Sequence, residues 1–160
     1  MNYTNIEPNI AIEISEKLDT LLASYQIFCQ KLKAFHWNIK GKNFFELHLK
    51  FEELYLDATH KFDEIAERIL TLGHYPSSTF KECLKKSAIK EIEIVPSERK
   101  MIDEILLDIN QLIKMEKSCL KYALENNDYA TAEMLGRYIA YKEKICWMFF
   151  TWLKVDLIIK

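Results

Sequence analysis

The sequence is short of chain breakers. Three glycines (Gly41, Gly73, Gly136) and three prolines (Pro8, Pro76, Pro96) are all that interrupt 160 residues, which argues against a turn-rich sheet protein and leaves long stretches suited to helices. Apolar runs are short too. Ile145 to Phe150, even extended across Thr151 to Leu153, is far below a bilayer-spanning length, so no membrane association is expected. Four cysteines (Cys29, Cys83, Cys119, Cys146) are widely spaced with no Cys-x-x-Cys pair, which excludes a disulfide framework or a zinc knuckle and leaves buried thiols. A formal net charge of -2 supplies no basic field for a phosphate backbone. The start, MNYTNIEPNIAIEIS, lacks the basic and continuous apolar regions of a secretory signal, so a cytoplasmic location is expected.

What is present is a core. Hydrophobic residues make up 49% of the chain, ample for one domain over residues 1–160, with 1–10 expected as a flexible tail. Ile14, Leu18, Leu21, Tyr25, Phe28, Leu32, Phe35 and Ile39 recur at helical spacing, with Gly41 as the stop. A second helix is expected from an Asn43–Glu46 capping box to Gly73. Residues 74–97 form a long connection, with a short helix from Thr79 to Lys86 and an extended stretch up to Pro96. Ser97 is the expected N-cap of a third long helix, broken by Asn126, Asn127 and Asp128, and a fourth is expected from Tyr129 to Leu153. Two long helices, a crossover and two more describe an all-α, ferritin-like four-helix bundle whose crossover carries a short extra helix.

All four histidines lie between His36 and His74, and no Glu-x-x-His occurs anywhere. A di-iron site at the centre of one bundle draws on that motif, so such a site is not expected. On the second helix, at 100° per residue, His48, Glu52, Asp63 and Glu67 share one face within roughly a 100° arc. His48 and Asp63 are nevertheless fifteen residues apart, roughly 22 Å along the axis, far beyond a first-shell distance near 2 Å. One chain cannot close this site. Two antiparallel copies about a two-fold axis would bring the His48/Glu52 end of one beside the Asp63/Glu67 end of the other, with His36 completing each centre. Such a mixed nitrogen and oxygen set suits Fe(II), and zinc, cobalt and manganese as well. By spacing alone, the same carboxylates also read as a solvated helix face. Asp57 and His60 lie off the stripe and His74 just beyond Gly73, and all three read as surface or loop residues.

The segment from His36-Trp37 through Glu67 resembles the Dps family, the DNA-binding proteins from starved cells or mini-ferritins. His36-Trp37, His48 twelve residues later, Asp63 fifteen further and Glu67 four beyond match the family pattern, as do FHWNIKG, DEIAERIL and KICWMF. The resemblance implies a hollow shell of twelve subunits, di-iron ferroxidase centres at two-fold interfaces, oxidation of Fe(II) by hydrogen peroxide in preference to dioxygen, and stored ferric oxide that protects against oxidative stress. His36, His48, Asp63 and Glu67 are the implied catalytic and metal ligands. Glu52 joins the metal ligands where many relatives carry Asp. Trp37 is implied as a quencher of oxidising equivalents, or else as an interface aromatic. Asp128 and Glu133 resemble iron-pore residues, with Asp128 also readable as an N-cap. The alternative reading is a nucleoid-associated shell that binds and protects DNA, with iron secondary. Against it, the first twenty residues hold only Lys17 beside Glu7, Glu13, Glu16 and Asp19, and the far end only Lys154 and Lys160 around Asp156, so weak or absent DNA binding is expected.

Overall fold

In the computed structural model, which describes residues 4–93 and 96–158, Pro8 stands at the start of α1 (Pro8–Asn38), where its missing N–H costs no helical hydrogen bond. Residues 8–10, set aside in the sequence as tail, are therefore helical, and Ile6 packs into the core. Residues 1–3 lie outside the described residues, as do residues 94–95 of the stretch expected to run extended to Pro96. α2 (Phe44–Thr71), the short α3 (Phe80–Lys86), α4 (Glu98–Glu125) and α5 (Tyr129–Ile158) follow, and the described residues contain no strand. None of these helices is long and apolar enough to cross a membrane.

Side-chain bonds between helices give the topology. His36 meets His48 and Cys29 meets Thr59, so α1 and α2 are antiparallel. Trp152 reaches Glu46, Tyr141 reaches Glu53 and Arg68 reaches Asp128, so α2 and α5 are antiparallel. Tyr25 bonds Glu116 and Lys31 bonds Asp108, which sets α4 antiparallel to α1. The two middle helices, α2 and α4, thus run the same way, which is why a long crossover must join them. That crossover is pinned to α1. The Asp19 carboxylate accepts from the Ser77 amide (2.7 Å), the Ser77 hydroxyl (2.8 Å) and Lys86, while Ser24 Oγ accepts from the Ala88 amide (3.0 Å). Burial alone would raise the Asp19 pKa, but the Lys86 and Ser77 bonds outweigh it and hold the carboxyl below its ordinary value.

The helix ends follow local chemistry, with one correction. Gly73 takes φ +88°, and the Gly73 and His74 amides return to Leu70 and Ile69, a complete Schellman stop. Asn127 does the same for α4 with φ +60°. Thr79 and Glu82 form a reciprocal capping box on α3. The box expected at Asn43–Glu46 does not form. Asn43 sits at φ -99°, ψ 19°, outside the extended region that lets a cap side chain fold over the first turn. Its Nδ2 instead donates to Glu98 at the start of α4 (2.9 Å), and Glu46 accepts from Trp152 of α5 (2.7 Å). Both residues tie α2 to its neighbours. Ser97 precedes α4 without a side-chain cap bond, and α5 runs five residues beyond the expected Leu153.

The middle of the bundle is ionic. Glu116, 0% exposed, accepts from the Tyr25 hydroxyl (2.6 Å) and from Lys142 Nζ (2.6 Å), and Lys142 also donates to the Tyr25 oxygen (2.5 Å). Lys61, buried beside them, pairs with Asp57 (2.5 Å) and lies 4.0 Å from the Tyr141 ring centroid. Burial pushes the Glu116 carboxyl up and brings the Lys142 ammonium down to about 8. α1, α2, α4 and α5 all contribute, so the interior in which a bundle-centred metal would sit holds lysine ammonium groups.

Two outcomes test these charges. Lys142→Met leaves Glu116 buried without a counter-ion and is expected to cost about 3–5 kcal/mol per subunit, most of it recovered in Lys142→Met/Glu116→Leu. Chemical unfolding at matched protein concentration measures both, and a single variant as stable as wild type would contradict the pairing. Asp108, beside Lys31, is pushed up to about 6 by burial, from an ordinary 3.8. The native carboxyl holds its proton more tightly than the unfolded chain does. Its stabilising contribution is therefore full below that ordinary value and is lost as pH rises through the native one. Thermal midpoints read between pH 4 and 7 should show this fall, and Asp108→Asn should flatten it.

Candidate metal centre

His36 is carried on the last turn of α1 and His48 on the second turn of α2, and the five-residue link between the helices folds them face to face. Their rings stack with centroids 3.7 Å apart and planes 21° from parallel. His36 Nδ1 bonds the His48 carbonyl oxygen (2.8 Å), and His48 Nδ1 bonds the His36 carbonyl oxygen (2.9 Å). A carbonyl only accepts, so both Nδ1 atoms carry a proton, and in the neutral form of each ring the lone pair lies on Nε2. A metal-ligating histidine is oriented in the same way, by a second bond from its other nitrogen. Phe44 stacks on His48 (5.0 Å) and Tyr55 presents its edge to His36 (5.4 Å). Glu52, half-buried one turn beyond His48, accepts from the Tyr55 hydroxyl at 3.5 Å.

Asp63 and Glu67 lie three to five turns farther along α2. Both are exposed, and neither side chain has a hydrogen bond or ion pair within the described residues. The structure thus brings His36 and His48 together, sets Glu52 one turn beyond His48, and leaves Asp63 and Glu67 apart. Among the described residues, no three His, Cys, Asp or Glu side chains are grouped so as to hold a metal ion.

The surface around these carboxylates was not singled out from the sequence. Phe45, Leu49, Leu56 and Leu70 are 80%, 64%, 56% and 52% exposed. At 100° per residue they fall on the arc of Glu52, Asp63 and Glu67, so one face of α2 interleaves bare apolar side chains with unpaired carboxylates. Exposed apolar residues grouped on one helix face mark an interaction surface. Their helical phase was readable, but only burial separates a core-facing leucine from one left outside. Phe44 and Tyr55, which flank the histidines, were likewise not picked out, because their roles depend on how α1 meets α2.

The remaining expected residues divide. Trp37 is 65% exposed beside His36. Glu133 is exposed and paired with Arg137 (2.8 Å). Asp128, readable as pore carboxylate or N-cap, serves as the cap: it is buried, accepts from the Thr131 amide (3.0 Å) and hydroxyl (2.5 Å), and is met by Arg68 Nη2 (2.7 Å). Its carboxylate is met by these partners inside the chain. Asp57 is engaged by Lys61, and His60 is exposed.

Comparison with known proteins agrees with this architecture. The family described as the ferritin-like domain matches residues 15–158. The DNA protection during starvation protein of Brevibacillus brevis is 37% identical, over 91% of this chain and 95% of its own. DNA protection during starvation protein 2 of Bacillus anthracis is 36% identical, over 85% and 93%. The crystal structure of the Dps protein from Vibrio cholerae O1, described as a member of a broad superfamily of ferritin-like diiron-carboxylate proteins, superposes with a TM-score of 0.92 at 37% identity, covering 96% of each chain. With a bundle of this topology, a matching domain and relatives along nearly its whole length, the chain belongs to the Dps family of ferritin-like proteins.

Proposed function

We propose that this protein is an iron-oxidising and iron-storing shell subunit whose ferroxidase centres are built between two copies of α2, each from His36, His48 and Glu52 of one subunit and Asp63 and Glu67 of the other. The observation that carries the reading is the exposed face of α2. Placed antiparallel about a two-fold axis passing between Asp57 and Ala58, two copies set Phe45 against Leu70, His48 against Glu67 and Glu52 against Asp63. One register covers the apolar residues and brings the unpaired carboxylates to the histidines. A two-fold contact is self-complementary, so every match occurs twice.

The donor set fits Fe(II), the substrate. Two imidazoles whose Nε2 atoms are left for a metal, with three carboxylates, form a mixed nitrogen and oxygen site. Planes only 21° from parallel at a 3.7 Å ring separation do not converge within a bond length of about 2.1 Å, so each histidine serves its own ion. Two neighbouring ions suit a two-electron oxidant. Each Fe(II) gives one electron, the O–O bond of hydrogen peroxide breaks, and two protons are taken up as two waters form. The protein's part is to hold the ions, to fix the histidine tautomers and to balance positive charge with carboxylates. Ferric product is then stored as oxide in the cavity of a homo-oligomeric shell, expected to be a dodecamer in a cytoplasmic setting. Similarity to a protein of the diiron-carboxylate superfamily and to starvation-protection proteins supports the reading. Trp37, exposed beside His36, is read as a quencher of oxidising equivalents or as an aromatic of the subunit interface.

Complementation tests the shared site. His36→Ala/His48→Ala and Asp63→Ala/Glu67→Ala should each lose most of the peroxide-driven rise in ferric absorbance. Co-assembled, they should regain part of it, because half of the centres in a mixed pair are intact. Two inactive variants that stay inactive on mixing would sink the shared centre. For DNA, a gel shift should show weak retention at low salt and none at physiological salt. A salt-resistant shift would favour the alternative of a DNA-binding shell.

A further inference from the structure

Glu52 is the one carboxylate of the proposed centre already engaged within its own chain, and its partner is Tyr55. We propose that Tyr55 is a positioning residue of the metal centre, its hydroxyl holding the Glu52 carboxylate on the histidine side of α2. This rests on the reading of the site given above. Tyr55 follows Glu52 by three residues and His48 by seven, which places it on the edge of α2 nearest α1. Its hydroxyl donates to Glu52 Oε1 (3.5 Å), its ring edge meets His36 (5.4 Å, 76°), and its backbone carbonyl accepts from Thr59 Oγ1 (2.8 Å) and Cys29 Sγ (3.6 Å). Lys33 Nζ lies 5.7 Å from its ring centroid. The ring is thus fixed from both helices, and its hydroxyl is the only group bonded to the Glu52 side chain among the described residues.

The chemistry of glutamate explains the need. Three side-chain torsions give Glu52 more freedom than an aspartate would have, and ordering it on metal binding carries an entropic cost. A phenol bonded to Oε1 removes part of that freedom beforehand and leaves Oε2 available to an ion or its water. The same ring bears on His36, so one side chain orients a nitrogen donor and an oxygen donor together. Groups that orient ligands in this way typically change metal affinity by about 10–100-fold when removed.

Tyr55→Phe keeps the ring and deletes only the hydroxyl. The probe is Co(II) alone, titrated into the assembled protein and followed by visible absorption, with Fe(II) KM and kcat read in parallel. Tyr55→Phe is expected to weaken Co(II) binding about tenfold, to change the cobalt spectrum, and to raise KM for Fe(II) more than it lowers kcat, with the thermal midpoint unchanged. Because the hydroxyl acts through Glu52, Tyr55→Phe/Glu52→Gln should be no worse than Glu52→Gln alone. A cobalt affinity and spectrum identical to wild type in Tyr55→Phe, or effects of the two substitutions that simply add, would overturn the positioning role while leaving the site intact. Wild-type cobalt binding in His36→Ala/His48→Ala would instead overturn the site reading, and the role of Tyr55 with it.

Discussion

Four helices meet on one buried carboxylate, Glu116, and the way its charge is met governs where the rest of the chemistry can take place. A lone ionised carboxylate in an apolar interior is untenable, and here Lys142 from α5 neutralises it and the Tyr25 hydroxyl from α1 donates to it, with the Lys61–Asp57 pair from α2 alongside. The cluster draws on every long helix, so it fixes their relative register as well as their charge. It also fills the bundle interior with ammonium groups and their partners. The proposed metal chemistry lies instead on the outside of α2, where Asp63 and Glu67 stand unpaired.

Assembly is therefore part of the proposed site. An exposed helix face cannot surround an ion, and the rise of the helix keeps His48 and Asp63 too far apart to cooperate in one chain. In the proposed centre, the chain by itself supplies one half. Reciprocal bonds between each histidine and the other's backbone carbonyl lock both tautomers and join the end of α1 to the start of α2. The lock needs no metal and no second subunit. The apolar residues around it, from Phe45 to Leu70, give the hydrophobic drive that would bring the second half.

Much of the molecule was legible as sequence because the signals were local. Scarce glycine and proline, helical periodicity and the Gly73 stop each act within a few residues, and the helices fall close to where these signals put them. The absence of Glu-x-x-His argued against a bundle-centred site, and the structure adds a physical reason in Lys142 and Lys61. Local chemistry misled where a distant partner competed for the same group. Asn43 and Glu46 have the spacing of a cap, yet Glu98 and Trp152 claim their side chains.

The sequence by itself determined the helices, the order of the bundle and the stripe of ligands on α2, because each depends on spacing along one chain. It also determined that the stripe is too long for a single centre, which follows from helical rise alone. Only the tertiary structure decided which nitrogen of each histidine is free, what lies beneath the ligands and which apolar residues of α2 remain uncovered. Those properties arise from contacts between segments far apart in sequence. The stacking of His36 on His48 and the burial of Glu116 depend on how α1, α2, α4 and α5 come together, and no periodicity encodes that.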